Sequence, residues 1–436
     1  MLNEGQQKAL NRLVKWYSTT DKYIILSGRG GVGKSFLINE VCKTLKVNTL
    51  LTAPTHEALK QLRDKIDNPE NELYAFKTIH SALGISAITS GTSLKFTQTK
   101  TPKIWDSIEL CIIDECSMID EWLLGLICST GAKLLFVGHE SQLPPVVERR
   151  KVSDKCISPV FNLSKVDVLT LTQPVRNEGE LWEFTNVIEN TITTLSKQIP
   201  ETFDIKKKDL LTLLDSEESK QLFLQNKCKI VLWSNTGVDY LNSYIRNKLF
   251  GEQSKKSLYL PTDKIIFTSP LSVIENLDTI NQKDLKQCEA EVVLYSNSKG
   301  EVLAAGKTVI NLENKLIPCH KLKVDTEQGV IVVYACINPL DKAELGKILE
   351  HKAWSCKSIQ AKKAAYNRKH FILSCFADIK HFYTATCHRL QGSTIERVIV
   401  INSDIAKNPN LIEQNKCRYV AVSRASKQLY FYRGLL

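Results

Sequence analysis

Gly28-Arg-Gly-Gly-Val-Gly33-Lys34-Ser35 has the form GxxxxGK[ST], set between an apolar run at Tyr23 to Leu26 and helical spacing from Phe36 to Leu45. Gly28, Gly30, Gly31 and Gly33, with Val32 among them, let the backbone turn its N–H groups onto a β-phosphate at a helix N-terminus. Lys34 would reach the β and γ oxygens of a nucleoside triphosphate, and the Ser35 hydroxyl would ligate Mg2+. Ile112-Ile113-Asp114-Glu115 ends another apolar run with two carboxylates. Asp114 can hold the metal through water while Glu115 polarises an attacking water, the pair that hydrolysis requires. Gln142, in Gly138-His-Glu-Ser-Gln142, closes a further run and can touch the γ-phosphate. Two arginines, Arg176 in Leu-Thr-Gln-Pro-Val-Arg and Arg424 in Tyr419-Val-Ala-Val-Ser-Arg, could approach that phosphate across a cleft and stabilise transition-state charge.

These groups need a scaffold that gathers strand ends. Apolar runs at Tyr23–Leu26, Thr49–Thr52, Leu110–Ile113 and Leu134–Val137 are each preceded or followed by spacers long enough for a crossover helix. That alternation predicts an α/β fold with a parallel sheet covered on both faces. A Ser/Thr/Gly/Lys-rich stretch from Gly84 to Lys103 reads as an inserted hairpin. From Leu163 onward, Val168–Leu171, helical Leu181–Leu195 and Lys229–Trp233 read as a second α/β unit. From Leu258, short runs rich in Val, Ile and Thr follow one another as in a small β-barrel, then Asp341–Lys369 is helical, and α/β character returns after Phe376. The expected domains are therefore 1–150, with the hairpin at about 84–103; 151–257 together with 376–436; and an inserted 258–375.

The 436 residues, 43% hydrophobic and 24% charged, suit a folded multidomain chain and exclude a disordered or collagenous one. A net charge of +11 makes an anionic partner worth considering. The 13 cysteines are dispersed with no CxxC pair, so reduced thiols are expected and a zinc site is not. The longest apolar run, Val330–Ile337, is too short to span a bilayer, and a cytoplasmic protein with no membrane contact is expected.

In order along the chain, these segments resemble the motif series of superfamily 1 helicases, in particular the Dda- and RecD-like branch. Leu2-Asn-Glu-Gly-Gln6 resembles the Q motif, whose glutamine reads adenine. Leu51-Thr-Ala-Pro54-Thr55-His56 and Thr78-Ile-His80-Ser81 resemble strand-binding motifs, Thr384 to Thr394 motif V, and YVAVSRA motif VI. The resemblance implies two RecA-like ATPase domains, an inserted pin hairpin and an SH3-like β-barrel, with ATP and Mg2+ as cofactors. It implies an ATP hydrolase moving 5′ to 3′ on single-stranded DNA and opening forked duplex DNA in replication, recombination or repair. It would act as a monomer, with single-strand-binding or replisome proteins as candidate partners. By the same resemblance Pro54, Thr55, His56, Thr78, His80, Thr386 and His388 would line the strand, Phe96 would be the pin's tip, and Gln391 and Gly392 would relay the nucleotide state. His139 departs from the family's usual Asp, and His388-Arg-Leu-Gln-Gly from its HKSQG pattern, which puts the hydrogen bonding around Gln142 and Gln391 in question. Two readings compete: a P-loop ATPase working on protein, or a nucleotide kinase, and a nucleic-acid-binding module whose nucleotide site is only a switch.

Overall fold

A computed structural model describes residues 2–90, 93–98, 102–145, 157–164, 166–175, 179–280 and 292–434. The chain forms two units, one of Met1–Leu210, Ile230–Asn235 and Thr386–Leu436, the other of Leu211–Lys229 and Thr236–Ala385.

The first eight strands are β1 (Tyr23–Gly28), β2 (Thr49–Ala53), β3 (Tyr74–Thr78), β4 (Ile85–Ser90), β5 (Ser93–Gln98), β6 (Leu110–Ile113), β7 (Lys133–Gly138) and β8 (Asp167–Leu171). Six of them form a sheet of order β3-β2-β6-β7-β1-β8, parallel throughout. Because side chains alternate across a strand, each apolar run supplies both faces. Ile24, Leu26, Leu51, Ile112, Leu135 and Val137 pack in one core, with helices α1 (Glu4–Tyr17) and α2 (Lys34–Leu45). Ile25, Leu50, Cys111, Ile113, Leu134 and Phe136 pack in the other, with the helix Glu121–Cys128. Parallel alignment sends the carboxyl ends of β1, β6 and β7 to one edge, where ligands bind in such sheets.

β8 corrects one expectation. Val168–Leu171 does not open a second α/β unit; it pairs with β1 from Ile24 to Gly28 and completes the first sheet. Arg12 on α1 bonds Asp167 at its start. The hairpin expected after Gly84 is present as β4 paired antiparallel with β5. Later in the same unit, Ile395–Ile401 and Ala425–Tyr432 pair in parallel within a second sheet. The helix between them, Leu411–Val422, is buried from Gln414 to Val422.

The other unit contains a five-stranded antiparallel sheet in the order Gly329–Cys336, Lys315–Thr326, Lys299–Leu312, Lys264–Phe267 and Ile379–His381. Glu313 and Asn314 both take positive φ, 54° and 60°, the two-residue turn that suits a twisted hairpin. The helices Pro339–Trp354 and Ile359–Ser374 pack together beside it. Among the described residues no helix is long and apolar enough to cross a membrane, and eleven cysteines carry free thiols.

A buried ion pair anchors this second unit. The Asp263 carboxylate, with no exposed surface, accepts from Arg246 Nε at 3.0 Å, the Tyr383 hydroxyl at 2.8 Å and the Leu260 N–H at 2.8 Å. Burial works against its charge, but hydrogen bonds from His381 and Arg246 outweigh that and hold its pKa below the usual value. The stability it contributes is present above the unfolded carboxylate pKa and lost as pH falls through the depressed native value. Asp263→Ala would leave Arg246 buried and unpaired, and urea unfolding should show a loss of about 3–5 kcal/mol. A loss within about 1 kcal/mol, the range of an exposed pair, would contradict this reading.

Candidate nucleotide site

The loop from Gly28 to Lys34 leaves β1 and enters α2. Gly31 and Gly33 have φ of 88° and 82°, which turns successive N–H groups inward. A Cβ on Gly33 would stand 2.4 Å from Gln6 Nε2, so glycine is required there both by conformation and by space. Gln6 is itself fixed: it forms a reciprocal cap with Asn3 at the start of α1 and donates to the Val32 carbonyl at 3.2 Å. The Lys34 ammonium bonds the Gly28 and Arg29 carbonyls at 2.6 and 2.9 Å. Burial lowers its pKa, opposed by the negative charges of Glu115 and Asp114.

Those carboxylates follow β6. Burial, and the charge of Glu115 beside it, raise the Asp114 pKa to about 6. Asp114 Oδ1 accepts from the Glu115 N–H at 2.9 Å. Glu115 has φ 53° and ψ 41°, left-handed backbone that costs a non-glycine residue about 1–3 kcal/mol and recurs at functional sites. Its Oε2 accepts from Gln142 Nε2 at 2.7 Å. Gln142 Oε1 in turn accepts from the His139 N–H at 3.1 Å and the Ser117 hydroxyl at 3.4 Å, and Ser117 Oγ accepts from Gln391 Nε2 at 3.1 Å. The loop after β7 and the segment around Gln391 are thus tied to the carboxylate pair. Gly392, at φ 84°, lies against it, a Cβ there being 3.6 Å from Glu115 Oε1.

These contacts settle the two sequence departures in structural terms. Gln142 is held by the backbone N–H of residue 139, so a histidine side chain there leaves its bond to Glu115 intact. Burial, with Lys34, Arg29 and Lys416 nearby, depresses the His139 pKa to about 3, and the ring is neutral. Leu390 is buried, and Gln391 still reaches Ser117.

Arg424 arrives from the far end of the chain. Its guanidinium donates to the Val420 and Ser393 carbonyls at 3.2 and 3.3 Å and to Ser423 Oγ at 3.0 Å. A Cβ on Gly30 would be 3.4 Å from its Nη2. One cavity of about 250 Å3 is lined by Gly30, Gly31, Gly33, Lys34, Ser35, Asp114, Glu115, Gln142, Gly392 and Arg424. It also takes in Phe36, Gln61, Lys65 and Val175, which the sequence did not single out. Lys65 donates to Ser35 Oγ at 3.4 Å, but it lies past the helix His56–Arg63 in a stretch without a motif. The donor set fits a triphosphate with Mg2+: an N–H cradle, two cations for phosphate oxygens, and one hydroxyl and one carboxylate for a metal that prefers few protein ligands.

The strand-lining candidates fall into two groups. Thr55, Thr78 and Thr386 each cap a helix, accepting from the N–H of Ala58, Ser81 and Arg389 at 3.2, 3.3 and 3.4 Å. Pro54, Thr55 and His56 follow β2, and His80 follows β3, at the edge the phosphate loop occupies. Burial lowers the pKa of His56 and of His80, in His80 against the pull of Asp120. His388 Nε2 lies 3.7 Å from Glu413 Oε1. Phe96 pairs with Ala87 in the hairpin register, and its side chain lies outside the described residues. Arg176 also lies outside them; the chain leading to it leaves β8 and bonds the phosphate loop through Val175 N to Gly31 O at 2.9 Å.

An AAA domain family matches residues 9–148, and the UvrD-like helicase C-terminal domain family matches 381–432. The chain is similar to the ATP-dependent DNA helicase dda of enterobacteria phage T4, at 23% identity over 99% of each chain. It is similar to the ATP-dependent DNA helicase Pif1 of Campylobacter jejuni, at 25% identity over 92% of this chain and 86% of the other. The crystal structure of a Bacteroides Pif1 helicase with ADP-AlF3 and ssDNA shares the fold, with a TM-score of 0.52 at 16% identity over 100% of this chain and 93% of that one. The phosphate loop, carboxylate pair, Gln142, Gly392 and Arg424 are gathered on one cavity, and over nearly its whole length the chain is similar to the Dda and Pif1 DNA helicases.

Proposed function

We propose that this protein is an ATP-dependent DNA helicase that moves 5′ to 3′ on single-stranded DNA and opens forked duplexes. The observation that carries the reading is the single cavity shared by Lys34, Glu115, Gln142 and Arg424, residues drawn from both ends of the chain. ATP would lie with its phosphates in the loop and its Mg2+ on Ser35 and Asp114. Glu115, oriented by Gln142, would take the proton of the attacking water, while Lys34 and Arg424, joined by Arg176, would meet the γ-phosphate charge. The adenine would sit beside Gln6, where a second small cavity is lined by Asn3, Gly5, Lys8, Thr170 and Gln173.

In this reading residues 1–150 form one RecA-like lobe and 151–257 with 376–436 the other, β8 excepted, and the inserted 258–375 is an SH3-like barrel, four of the antiparallel sheet's five strands lying in it and the fifth, Ile379–His381, just beyond. The strand would run over Pro54, Thr55, His56, Thr78, His80, Thr386 and His388. The capping threonines support this in a specific way: each starts a short helix directly after a strand, and helix N-termini suit phosphodiester oxygens. The relay from Gln391 through Ser117 and Gln142 to Glu115 gives strand and nucleotide a common element, and ATP shifts that element only by its different affinity for the two arrangements. The +11 charge supplies nonspecific attraction to phosphates and predicts affinity that falls with salt.

Lys34→Ala should lower single-strand-stimulated ATP hydrolysis by about 100-fold or more while fluorescence anisotropy still registers single-strand binding; undiminished hydrolysis would remove Lys34 from the chemistry. Phe96→Ala should slow opening of a 5′-tailed fork by more than it slows DNA-stimulated hydrolysis. Equal losses in the two assays would argue against a pin at the hairpin.

A further inference from the structure

The loop that carries Gln142 is gripped from two sides by buried charged groups that belong to no motif. On one side stands Glu189, in the helix Glu180–Thr194: its Oε1 accepts from Ser141 Oγ at 2.8 Å, and its other oxygen meets Arg29 of the phosphate loop. On the other stands Lys416, in the helix Leu411–Val422 and only 1% exposed. Its ammonium donates to the carbonyl of Glu140 and, at 3.1 Å, to that of Gln142. Taking an ammonium ion out of water is expensive, and an apolar side chain of the same length would fill the space without that cost. What the amine provides is hydrogen bonding: Ser141, Gln142 and Leu143 are all buried, so the carbonyls of this loop need partners.

We propose that Lys416 is a positioning residue for ATP hydrolysis, which fixes the loop so that the Gln142 amide stays on Glu115. The inference rests on the helicase reading and deepens it. Lys416 lies two helical turns before Arg424, so the same helix that delivers the arginine also holds the loop that orients the carboxylate. Arg424 and Gln142 would then reach the γ-phosphate as one assembly, and a displacement of the helix would disengage both together. The two carbonyls that Lys416 bonds, those of Glu140 and Gln142, lie outside the phosphate loop. Its loss should therefore leave ground-state binding alone and appear in turnover.

Lys416→Met keeps the stem and removes the donors. In steady-state assays with saturating single-stranded DNA, normalised by active-site titration, kcat should fall by about 10- to 100-fold, the scale of a small misplacement, with KM for ATP within about twofold. Because Lys416 acts through Gln142, the double variant Lys416→Met/Gln142→Ala should be no slower than Gln142→Ala alone, within about twofold. Losses that multiply, or a raised KM at unchanged kcat, would overturn the proposal. Should Lys416→Met fail to fold, Lys416→Gln retains an amide NH2 with two N–H donors on a shorter stem: it should lose less, and its loss should again vanish in the Gln142→Ala background, with multiplied losses again decisive against. Absence of hydrolysis in the wild-type chain would overturn the helicase reading and this inference with it, whereas wild-type hydrolysis with multiplied losses overturns this inference alone.

Discussion

Arg424 lies beside Gly30, nearly four hundred residues away in the chain, and everything chemical in this protein follows from that approach. A phosphate loop alone binds nucleotide. A phosphate loop faced by a guanidinium from a different sheet binds nucleotide and senses where that sheet is. Lys34 and Arg424 line one cavity, are of one sign and repel, and Asp114 and Glu115 do the same. The arrangement holds two like pairs around one cavity. A triphosphate with its metal is the ligand that answers both, giving anionic oxygens to the cations and a cation to the carboxylates.

The neighbouring hydrogen bonds translate that occupancy. Glu115 is held in left-handed backbone, and its carboxylate is aimed by Gln142, which is shared through Ser117 with Gln391. Each link is a single side chain with a definite donor and acceptor, so the relay has few alternative arrangements. The strand candidates stand close by in sequence: Thr386 and His388 immediately precede Gln391, and Thr55 follows β2, the strand next to β6.

Much of this was legible in the sequence because the chemistry is carried by contiguous motifs at strand ends. The inner strands β1, β2, β6 and β7 were readable as apolar runs because both their faces are buried. β3, Tyr-Ala-Phe-Lys-Thr, was not, since as an edge strand it is mostly half buried and carries no continuous apolar run. β8 was recognised as a strand but given to the wrong unit: it lies next to β1 in space while far from it in sequence, and no local pattern encodes that pairing. The long strand Lys299–Leu312 has no clear signature in the sequence, because Ala-Ala-Gly-Lys interrupts its apolar alternation on an exposed stretch. Lys65, Glu189 and Lys416 were invisible for a different reason: a charged residue outside any motif reads as part of a solvated face. Only the uninterrupted burial of Gln414–Val422 reveals that Lys416 points inward.

The measurement that bears most directly on this account is a crystal structure with Mg2+ and a nonhydrolysable ATP analogue. The account predicts that Lys34 leaves the Gly28 and Arg29 carbonyls and that both it and the Arg424 guanidinium come within about 3 Å of γ-phosphate oxygens. An Arg424 still bonded to Val420 and Ser393, with the γ-phosphate out of its reach, would contradict it.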